Sequence, residues 1–391
     1  MTITAIPKLW SPQGVVLGDI ATYSTLDYIL NCTPGNIGVL EITIPASFDD
    51  SLLVADGRIG VYRSIDGRPP YLDNGAVYLI ETLKYTSEEV FVRAFHMNTL
   101  TTRRSVLYPT GSSQANKTAL AADNMLRAYW RENAGASIGA SREGTQTLAD
   151  ISTLVQTQAD PATALGPVVS IVGAHDPLDS VLQRVCDASS TAGTYMTYEI
   201  ISIGDNLFEF RVYVGARGVD HRQGSTTAVP IILGELKGNL ENATLTVDYH
   251  NEATASIAGG QGMGTDRIIK TALDNTRMLV SPFHRIERVS FDMTNGNTDA
   301  IVQSAADAGL RNGRPTITVG GTLVDTLSCT RGVHYDLGDM LSVEAPRTRE
   351  LFDVRLELVH EHFEAGGKQQ GQELTDHQVQ HRYATGGLRS I

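Results

Sequence analysis

The stretch Gly259-Gly-Gln-Gly-Met-Gly-Thr-Asp-Arg267 decides between two folds for this chain. Glycine at four of its first six positions lets the backbone adopt positive φ angles and approach a neighbouring segment closely. A dinucleotide-binding fold would need a strand, then this loop, then a long helix whose free N–H groups point at a phosphate. The residues that follow show no sustained helical period until Asn297. The stretch therefore predicts a structural loop and argues against a nucleotide site.

The segments on both sides of this loop alternate as strands do. A two-residue period in residues 243–251 places Leu245, Val247 and Tyr249 on one face. Residues 267–270, directly after the loop, are also strand-like. The residues that we expect to set the backbone geometry of the loop are Gly259, Gly260, Gly262, Gly264 and Arg267.

Length and composition favour a β-rich protein with several domains. The chain has 391 residues, which predicts roughly two to four domains. Hydrophobic residues make up 41% of it, enough for sizeable cores, whereas charged residues make up only 19%. Abundant glycine and Thr-rich alternating segments favour sheets over helical bundles.

Charge and cysteine usage exclude several classes of protein. The net charge of −13 argues against a nucleic-acid-binding face, and the basic pair Arg103-Arg104 has no further basic or aromatic residues beside it. Cys32, Cys186 and Cys329 form no CxxC pair and are expected to be buried and reduced. The N-terminus has no signal-peptide pattern, and no segment approaches the ~18 apolar residues of a membrane helix. We therefore expect synthesis and folding in the cytoplasm.

The first half of the chain reads as a β-domain followed by an α+β block. Residues 14–95 carry strands about ten residues apart, which suits a small barrel or sandwich. Among them, residues 38–44 alternate and place Leu40, Ile42 and Ile44 on one face. A mobile loop is expected at residues 134–164. The elements predicted around that loop are helices at 98–107 and 118–133, a helix starting at Asp176-Pro177, and a hairpin of strands 194–201 and 207–213. The helix that starts at Asp176-Pro177 is expected to bury Leu178, Val181, Leu182 and Val185.

The second half returns to β-structure around one helix. The expected elements are a strand at 285–291, a helix at 297–310, and strands at 314–319, 321–325, 340–344 and 350–360. The segment Asp336-Leu-Gly-Asp339 is typical of a tight turn, with Leu341 and Val343 then pointing into a core.

No catalytic signature is legible in the sequence. The nearest candidate for a metal site is His360-Glu-His362, where strand alternation puts both imidazoles on one face, together with His377 and His381 at helical spacing. A metal would need the two pairs to converge, and a solvated surface is the alternative. The acidic pairs Asp49-Asp50 and Glu88-Glu89 lie beside turn residues and indicate turn chemistry. We predict no catalytic, cofactor-binding or metal-binding residues.

Residues 259–366 resemble the tail hub proteins of long-tailed bacteriophages. In that family Asp-Leu-Gly-Asp closes a tight turn into a barrel strand, which assigns a structural role to Asp336, Gly338 and Asp339. By the order of its elements the resemblance extends over about two thirds of the chain. The points of similarity are Gly260-Gln-Gly262 followed by Arg267, the strand Arg285-Ile-Glu-Arg288, the helix to Leu310, and Tyr335-Asp-Leu-Gly-Asp-Met-Leu-Ser-Val343.

This resemblance implies a β-rich α+β fold with two tube-like β-barrel domains and two smaller α/β or α+β domains packed alongside. The implied domains are a first barrel at 1–110, an α+β insertion at 111–238, a second barrel at 239–260 with 311–365, and a small α/β domain at 261–310 with the tail 366–391.

The resemblance also implies a structural, non-enzymatic function without a cofactor. Three copies of a hub protein form a pseudo-sixfold ring that adapts the sixfold tail tube to a threefold tip, and DNA passes through it at ejection. The implied location is the tail tip of the virion. The implied partners are further copies of the chain in a homotrimer, a distal tail protein, tail-tip or fibre proteins and a tape-measure protein.

Two other classes stay open beside the hub. A tail-associated cell-wall hydrolase would carry two carboxylates in one cleft, one of them with a raised pKa. A host-receptor or carbohydrate-binding module would expose aromatic side chains. Aromatic residues are only 6% of this chain and lie mostly in strand alternation, so neither class has a clear signature.

Overall fold

The computed structural model describes residues 2–35, 37–108, 111–112, 114–137, 150–260, 264–283, 286–290, 299–364 and 368–369. The chain divides into two compact units. The larger comprises Met1–Ser190, Thr194–Thr244 and Val319–Val379, and the smaller comprises Thr191–Gly193, Leu245–Thr318 and Gln380–Ile391.

Strands dominate the described residues, and helices are few and short. The strands, in chain order, are β1 (Ile3–Trp10), β2 (Val16–Asp19), β3 (Thr25–Asn31), β4 (Val39–Pro45), β5 (Arg58–Ile65), β6 (Tyr71–Tyr85), β7 (Glu89–His96), β8 (Ala115–Ala121), β9 (Val155–Thr157), β10 (Val168–Gly173), β11 (Met196–Gly204), β12 (Leu207–Val214), β13 (Ile232–Leu233), β14 (Leu240–Asp248), β15 (Ala255–Gly259), β16 (Ile269–Leu273), β17 (Glu287–Ser290), β18 (Thr316–Leu323), β19 (Met340–Glu344), β20 (Leu351–Arg355), β21 (Leu358–Glu364) and β22 (Lys368–Gln369).

The helices are α1 (Thr99–Thr102), α2 (Ala122–Asn133), α3 (Leu178–Thr191), α4 (Asn275–Val280) and α5 (Asp299–Asn312), with single 3-10 turns at Asp50–Leu52, Glu235–Lys237 and Gly264–Asp266. No helix in the described ranges is long and apolar enough to cross a membrane. The predicted β-rich α+β class is confirmed.

The N-terminal strands close into a barrel. Its strand order is β1-β22-β21-β3-β4-β7-β6-β5, and β5 pairs again with β1, while β2 adds to β1. Strict alternation on β4 buries Leu40, Ile42 and Ile44 and leaves the intervening residues half-exposed. An eight-stranded barrel is just wide enough for side chains to fill it. Leu26 and Phe363 are also fully buried, so the barrel interior is a packed core and not a pore.

The α+β insertion has a core of its own. Trp130 of α2 stacks on Phe210 of β12 with ring centroids 4.7 Å apart. The sheet β11-β12-β9 and the pair β10-β8 surround α2 and α3. The buried face of α3 is the one that the sequence predicted, with Leu178, Val181, Leu182 and Val185 fully buried.

Two predicted helices are shorter than the sequence indicated. Residues 118–121 belong to strand β8, where Leu120 pairs with Val169 of β10, and α2 starts only at Ala122. The helix predicted at 98–107 is the single turn α1. The Asn98 side chain does not cap this turn but accepts the Ile200 backbone N–H at 2.7 Å, which fixes the hairpin instead.

Two strand predictions were also wrong in their limits. The predicted strand 350–360 is two strands in different sheets, β20 and β21. The break falls at Leu356, whose backbone exchanges hydrogen bonds with Gly338 and Asp339 at 2.7 and 2.9 Å. The strands predicted at 314–319 and 321–325 are the single strand β18. Part of the predicted loop 134–164 is strand β9, and its residues 138–149 lie outside the described residues.

The remaining strands form small sheets. In the larger unit β13, β19 and β20 form a three-stranded sheet. Strands β14 and β18, each of which crosses the boundary between the two units along the chain, pair with each other in a two-stranded ribbon. In the smaller unit β16-β15-β17 form a sheet against which α5 packs through Val302 and Ala306. Two strands lie in sheets other than the predicted second barrel, at 239–260 with 311–365. Strand β21 completes the first barrel, and β15 pairs with β16 and β17. The number of barrels and the four-domain division stay predictions.

Candidate functional site: a buried ion network and an acidic turn

An arginine from the segment between β18 and β19 is buried inside the first barrel. The Arg331 side chain is completely buried. Its Nη2 and Nη1 lie 2.6 and 3.1 Å from the two carboxylate oxygens of Asp73 on β6. Its Nε donates to Glu361 Oε1 on β21 at 2.8 Å. A bidentate pair of this kind fixes both partners in orientation as well as in distance.

A second buried arginine extends this network. Arg63 Nη1 of β5 donates to the Arg331 carbonyl at 3.2 Å. Its Nη2 lies 3.5 Å from Asp325 and 3.7 Å from Glu361. Arg63, Asp73 and Glu361 come from barrel strands, whereas Asp325 and Arg331 come from the segment between β18 and β19. We call these five residues the barrel ion network. It ties that segment to the barrel wall.

The barrel ion network keeps the Asp73 carboxylate ionised. Burial raises the pKa of Asp73, but the charges of Arg331 and Arg63 outweigh burial and bring it to about 2. The Tyr28 hydroxyl donates to Asp73 at 2.7 Å, and burial raises the pKa of Tyr28 well above its ordinary value. Asp325 differs from Asp73, because burial outweighs the nearby arginines and leaves the pKa of Asp325 raised. Asp73 therefore stays charged, and Tyr28 stays a donor, throughout the physiological range.

The Asp336–Asp339 segment forms a tight turn beside this network. Gly338 has a φ of +92°, and a Cβ there would lie 2.7 Å from the Cβ of Arg217. The Asp336 backbone N–H donates to Asp339 Oδ2 at 2.7 Å, which closes the turn. Asp339 Oδ1 accepts the Val219 N–H at 2.6 Å. The structural role that the resemblance assigns to Asp336, Gly338 and Asp339 stays a prediction.

The turn is also held from the barrel and from the hairpin. Asp336 Oδ1 accepts from Asn74 Nδ2 at 3.0 Å. Arg217 donates to the Leu337 carbonyl at 2.7 Å and pairs with the buried Glu199 of β11. The turn thus joins three parts of the larger unit.

The glycine-rich loop joins two antiparallel strands. Gly259 ends β15, and the Gly260 N–H donates to the Ile268 carbonyl at 2.8 Å. Gly264 has a φ of +57° and begins a 3-10 turn, and Arg267 donates its N–H to the Gly264 carbonyl at 3.3 Å. Residues 261–263, with Gly262, lie outside the described residues. The strand expected at 267–270 begins at Ile269. The next strand after the loop is β16. The described residues after the loop therefore do not provide the helix N-terminus that a phosphate site would need.

The sequence did not single out the barrel ion network. One signal was available: Arg63 occupies an inward position on β5, in phase with the buried Ile59, Val61 and Ile65. A charged residue in the apolar phase of a strand indicates a buried pair. Its partner Arg331 could not be found this way, because it lies 258 residues from Asp73 in the chain.

The two histidines of β21 converge on a carboxylate. His360 Nε2 lies 3.2 Å, and His362 Nδ1 lies 2.7 Å, from Asp27 Oδ1 on the neighbouring strand β3. Groups of side chains suited to hold a metal ion do not occur among the described residues. His377 and His381 lie outside these residues.

We predict that His362 makes the stability of the protein depend on pH. Burial lowers the pKa of His362, but Asp27 and Glu364 outweigh burial and raise it. Because the pKa of His362 is higher in the folded than in the unfolded state, its charge stabilises the fold below the ordinary pKa of about 6.5. This stabilisation is lost as the pH rises through the folded-state pKa. Asp27→Asn should therefore cost less than about 1 kcal/mol, because the pair is partly exposed, and the loss should be larger at pH 6 than at pH 8.

Urea unfolding at the two pH values measures this effect. Glu41→Gln is the matched control, because Glu41 lies beside Asp27 on β4 but pairs with Arg93. An equal loss at pH 6 and pH 8 for Asp27→Asn would show that His362 carries no stabilising charge.

The paired acids lie in or beside turns, as the sequence indicated. Asp49 Oδ1 accepts the Ser51 N–H at 3.2 Å ahead of a 3-10 turn. Thr86 Oγ1 accepts the N–H groups of Glu88 and Glu89 at 3.3 and 3.0 Å.

Comparison with known proteins gives one family match. The model of the family described as Siphovirus ReqiPepy6 Gp37-like protein matches residues 8–374. No curated protein sequence matches the chain.

Three of the solved structures with a similar fold are tail proteins. The 43 kDa tail protein of prophage MuSo2 from Shewanella oneidensis has a TM-score of 0.58 at 10% identity, covering 94% of this chain and 96% of that one. A tail protein from Neisseria meningitidis MC58 has a TM-score of 0.55 at 12% identity, covering 97% and 98%. Prophage tail protein gp18 from Listeria monocytogenes EGD-e has a TM-score of 0.50 at 9% identity, covering 92% and 90%.

Proposed function

Because this chain belongs to the Siphovirus ReqiPepy6 Gp37-like protein family and has the fold of phage tail proteins, we propose that it is a structural hub subunit of the tail tip. Three copies form a ring that adapts the sixfold tail tube to a threefold tip, and the genome passes through the ring at ejection. The role is mechanical, without an enzymatic step.

Because the interior of the first barrel is packed, the proposed DNA channel must lie between copies of the chain. The first barrel is filled by side chains such as Tyr28 and Phe363, whose rings stack 6.2 Å apart, and by the barrel ion network. DNA cannot pass through such an interior. A conduit built from this chain must therefore be lined by the outer surfaces of several copies.

The ribbon of β14 and β18 is the surface through which we propose that copies of the chain assemble. Each of its strands pairs only with the other in the described part of the chain. Leu245 is half-buried, and Val247 and Tyr249, which share its predicted face, are 38% and 55% exposed. An open ribbon with an exposed apolar face is an aggregation hazard unless a neighbouring subunit covers it. We propose that the next copy in the ring does so.

Light scattering on the purified chain tests this interface. We expect a mass three times that of the 42.2 kDa chain. Val247→Arg should reduce the mass to that of one chain without loss of fold. Val229→Arg is the matched control, because this valine is 76% exposed and lies outside the ribbon. A stable dimer or hexamer, or a trimer that survives Val247→Arg, would contradict the proposal.

The charge of the chain suits a passive conduit. Three chains carry 3 × (−13) = −39 charges. A negative ring does not hold the DNA that slides through it, because each phosphate contact would add affinity.

We therefore predict that the assembled protein does not bind duplex DNA. Filter binding at roughly 0.15 M salt should give no saturable retention at micromolar protein. Sub-micromolar binding that weakens steeply with salt would mean that basic side chains line the channel, and the passive conduit would have to be abandoned.

The proposed partners follow from the position at the tip. They are further copies of the chain, a distal tail protein, tail-tip or fibre proteins and the tape-measure protein. The proposed place of the chain is the tail tip of the virion, after synthesis in the host cytoplasm.

A further inference from the structure

A cavity of about 310 Å³ lies between the outer face of the first barrel and the β11–β12 hairpin. Three aromatic side chains line it: Trp10 at the end of β1, Tyr62 on β5 and Phe208 on β12. Trp10 and Phe208 are buried and Tyr62 is half-buried. At the opening lie Ser202 and the exposed Asp205 of the hairpin. This volume is at the lower end of the ~300–1,000 Å³ of small-molecule sites.

Three breaks in strand register surround this cavity. The pairing of β1 with β2 shifts between Leu9 and Trp10, and that of β5 with β6 shifts between Gly60 and Tyr62. The pairing of β11 with β12 shifts between Ser202 and Gly204. Bulges bend strands and re-aim side chains, and they are frequent beside binding sites. Their convergence here opens the space between the barrel and the hairpin.

The cavity wall contains a buried cation without an ionic partner. Arg58 is 4% exposed and donates to the Asn206 side chain and, at 2.7 Å, to the Pro12 carbonyl, both of them neutral acceptors. Its guanidinium lies 5.3 Å from the centre of the Phe208 ring. Asp56, which acts on it through space, is paired with Arg103 at 2.7 Å. In the described ranges of the chain, no carboxylate lies within ion-pair distance of Arg58. A buried cation of this kind favours an anion beside it.

The Trp10 indole in the same wall lacks a hydrogen-bond acceptor within the described part of the chain. Trp10 is 6% exposed, and its indole Nε1–H is buried without a hydrogen-bond partner among the residues that the structure describes. A buried unpaired donor costs about 1–3 kcal/mol, which an acceptor from a ligand would recover. Arg58 and Trp10 thus present two groups that an anionic acceptor would satisfy.

We propose that this cavity binds a small acidic saccharide, a sugar ring that carries a carboxylate. The carboxylate faces Arg58 and accepts from the Trp10 indole N–H. The apolar face of the ring packs among Tyr62, Phe208 and Trp10. Ser202 and Asp205 at the opening accept hydrogen bonds from the ring hydroxyls.

The wall chemistry disfavours other classes of small ligand. A purely apolar molecule would leave Arg58 and Trp10 unsatisfied. A multiply charged phosphate would meet the Asp205 carboxylate at the opening and only one buried cation inside. A neutral sugar would use the aromatic walls but would not compensate the charge of Arg58.

Saturation-transfer NMR and calorimetry on the full chain test this site, with glucuronic acid and N-acetylmuramic acid as probes. Glucose and N-acetylglucosamine are the matched neutral probes. We expect saturable binding of the acids in the millimolar range or tighter, and at least about fivefold weaker binding of the neutral sugars. This test is independent of ring assembly.

Two variants assign the binding to the cavity. Arg58→Gln should weaken binding of the acids by about tenfold or more, since it removes a charge-assisted hydrogen bond. Trp10→Phe keeps the aromatic wall and should weaken it by about threefold. Arg93→Gln is the control, because Arg93 lies on the exposed face of β7 outside the cavity. If Arg58→Gln does not fold, Trp10→Phe still tests the site.

Three results would overturn the proposal. The first is no saturable binding of either acid up to about 50 mM. The second is equal affinity for the acids and their neutral counterparts. The third is unchanged binding by both cavity variants, which would place any binding elsewhere on the chain.

Discussion

Arg331→Ala is expected to destabilise the larger unit by about 3–5 kcal/mol, enough to unfold a marginal protein. The change removes the bidentate partner of Asp73 and the Nε donor to Glu361, both of which are buried. Arg63 remains as the only cation of the barrel ion network, at 3.7 Å from Glu361. Urea unfolding followed by circular dichroism measures the loss.

A matched control and a rescue make this result specific. Arg349→Ala removes an exposed arginine that pairs with Glu344 at 3.1 Å, and it should cost less than about 1 kcal/mol. Adding Asp73→Asn to Arg331→Ala should recover part of the loss, because it removes the unpaired buried charge. A loss for Arg331→Ala as small as that of the control would show that the network does not hold the segment between β18 and β19 in the barrel.

Leu341→Ala is expected to cost about 2–5 kcal/mol, since it opens a cavity at a fully buried position of β19. The sequence predicted this position as the first inward residue after the Asp336–Asp339 turn. Leu351→Ala is the matched control, because Leu351 lies on the adjacent strand β20 and is 41% exposed. A cost below about 1 kcal/mol for Leu341→Ala would mean that the register of β19 is wrong.

Local patterns predicted the parts of the fold that depend on neighbouring residues. Alternation in residues 38–44 predicted β4 with its buried face, and the positions of Leu178, Val181 and Val185 predicted the core face of α3. The tight turn at Gly338 followed from its glycine. Each of these features is set by a period of two or 3.6, or by one special φ angle.

The partners of strands and charges could not be predicted in the same way. The segment 350–360 reads as one strand, but tertiary hydrogen bonds from Leu356 to the 336–339 turn divide it, and β21 then pairs with β3 more than 300 residues earlier. Asp73 and Arg331 likewise meet only in the folded barrel. Residues 118–121 show a helical period, yet their pairing with β10 makes them a strand. In each case a long-range contact overrides a local preference.

The cavity beside the barrel shows the same limit. Trp10, Arg58 and Phe208 are far apart in the sequence, and each one alone fits strand alternation. The bulges beside them are shifts in register between two paired strands, and the pattern of a single strand does not reveal such shifts.

An electron cryomicroscopy reconstruction of the assembled tail, with this protein located by a specific antibody fragment, tests the hub proposal most directly. The account predicts three copies in a ring at the tip, with β14 and β18 of each copy covered by the next and a channel between the packed barrels. Six copies along the tube, or a position at the head, would contradict it.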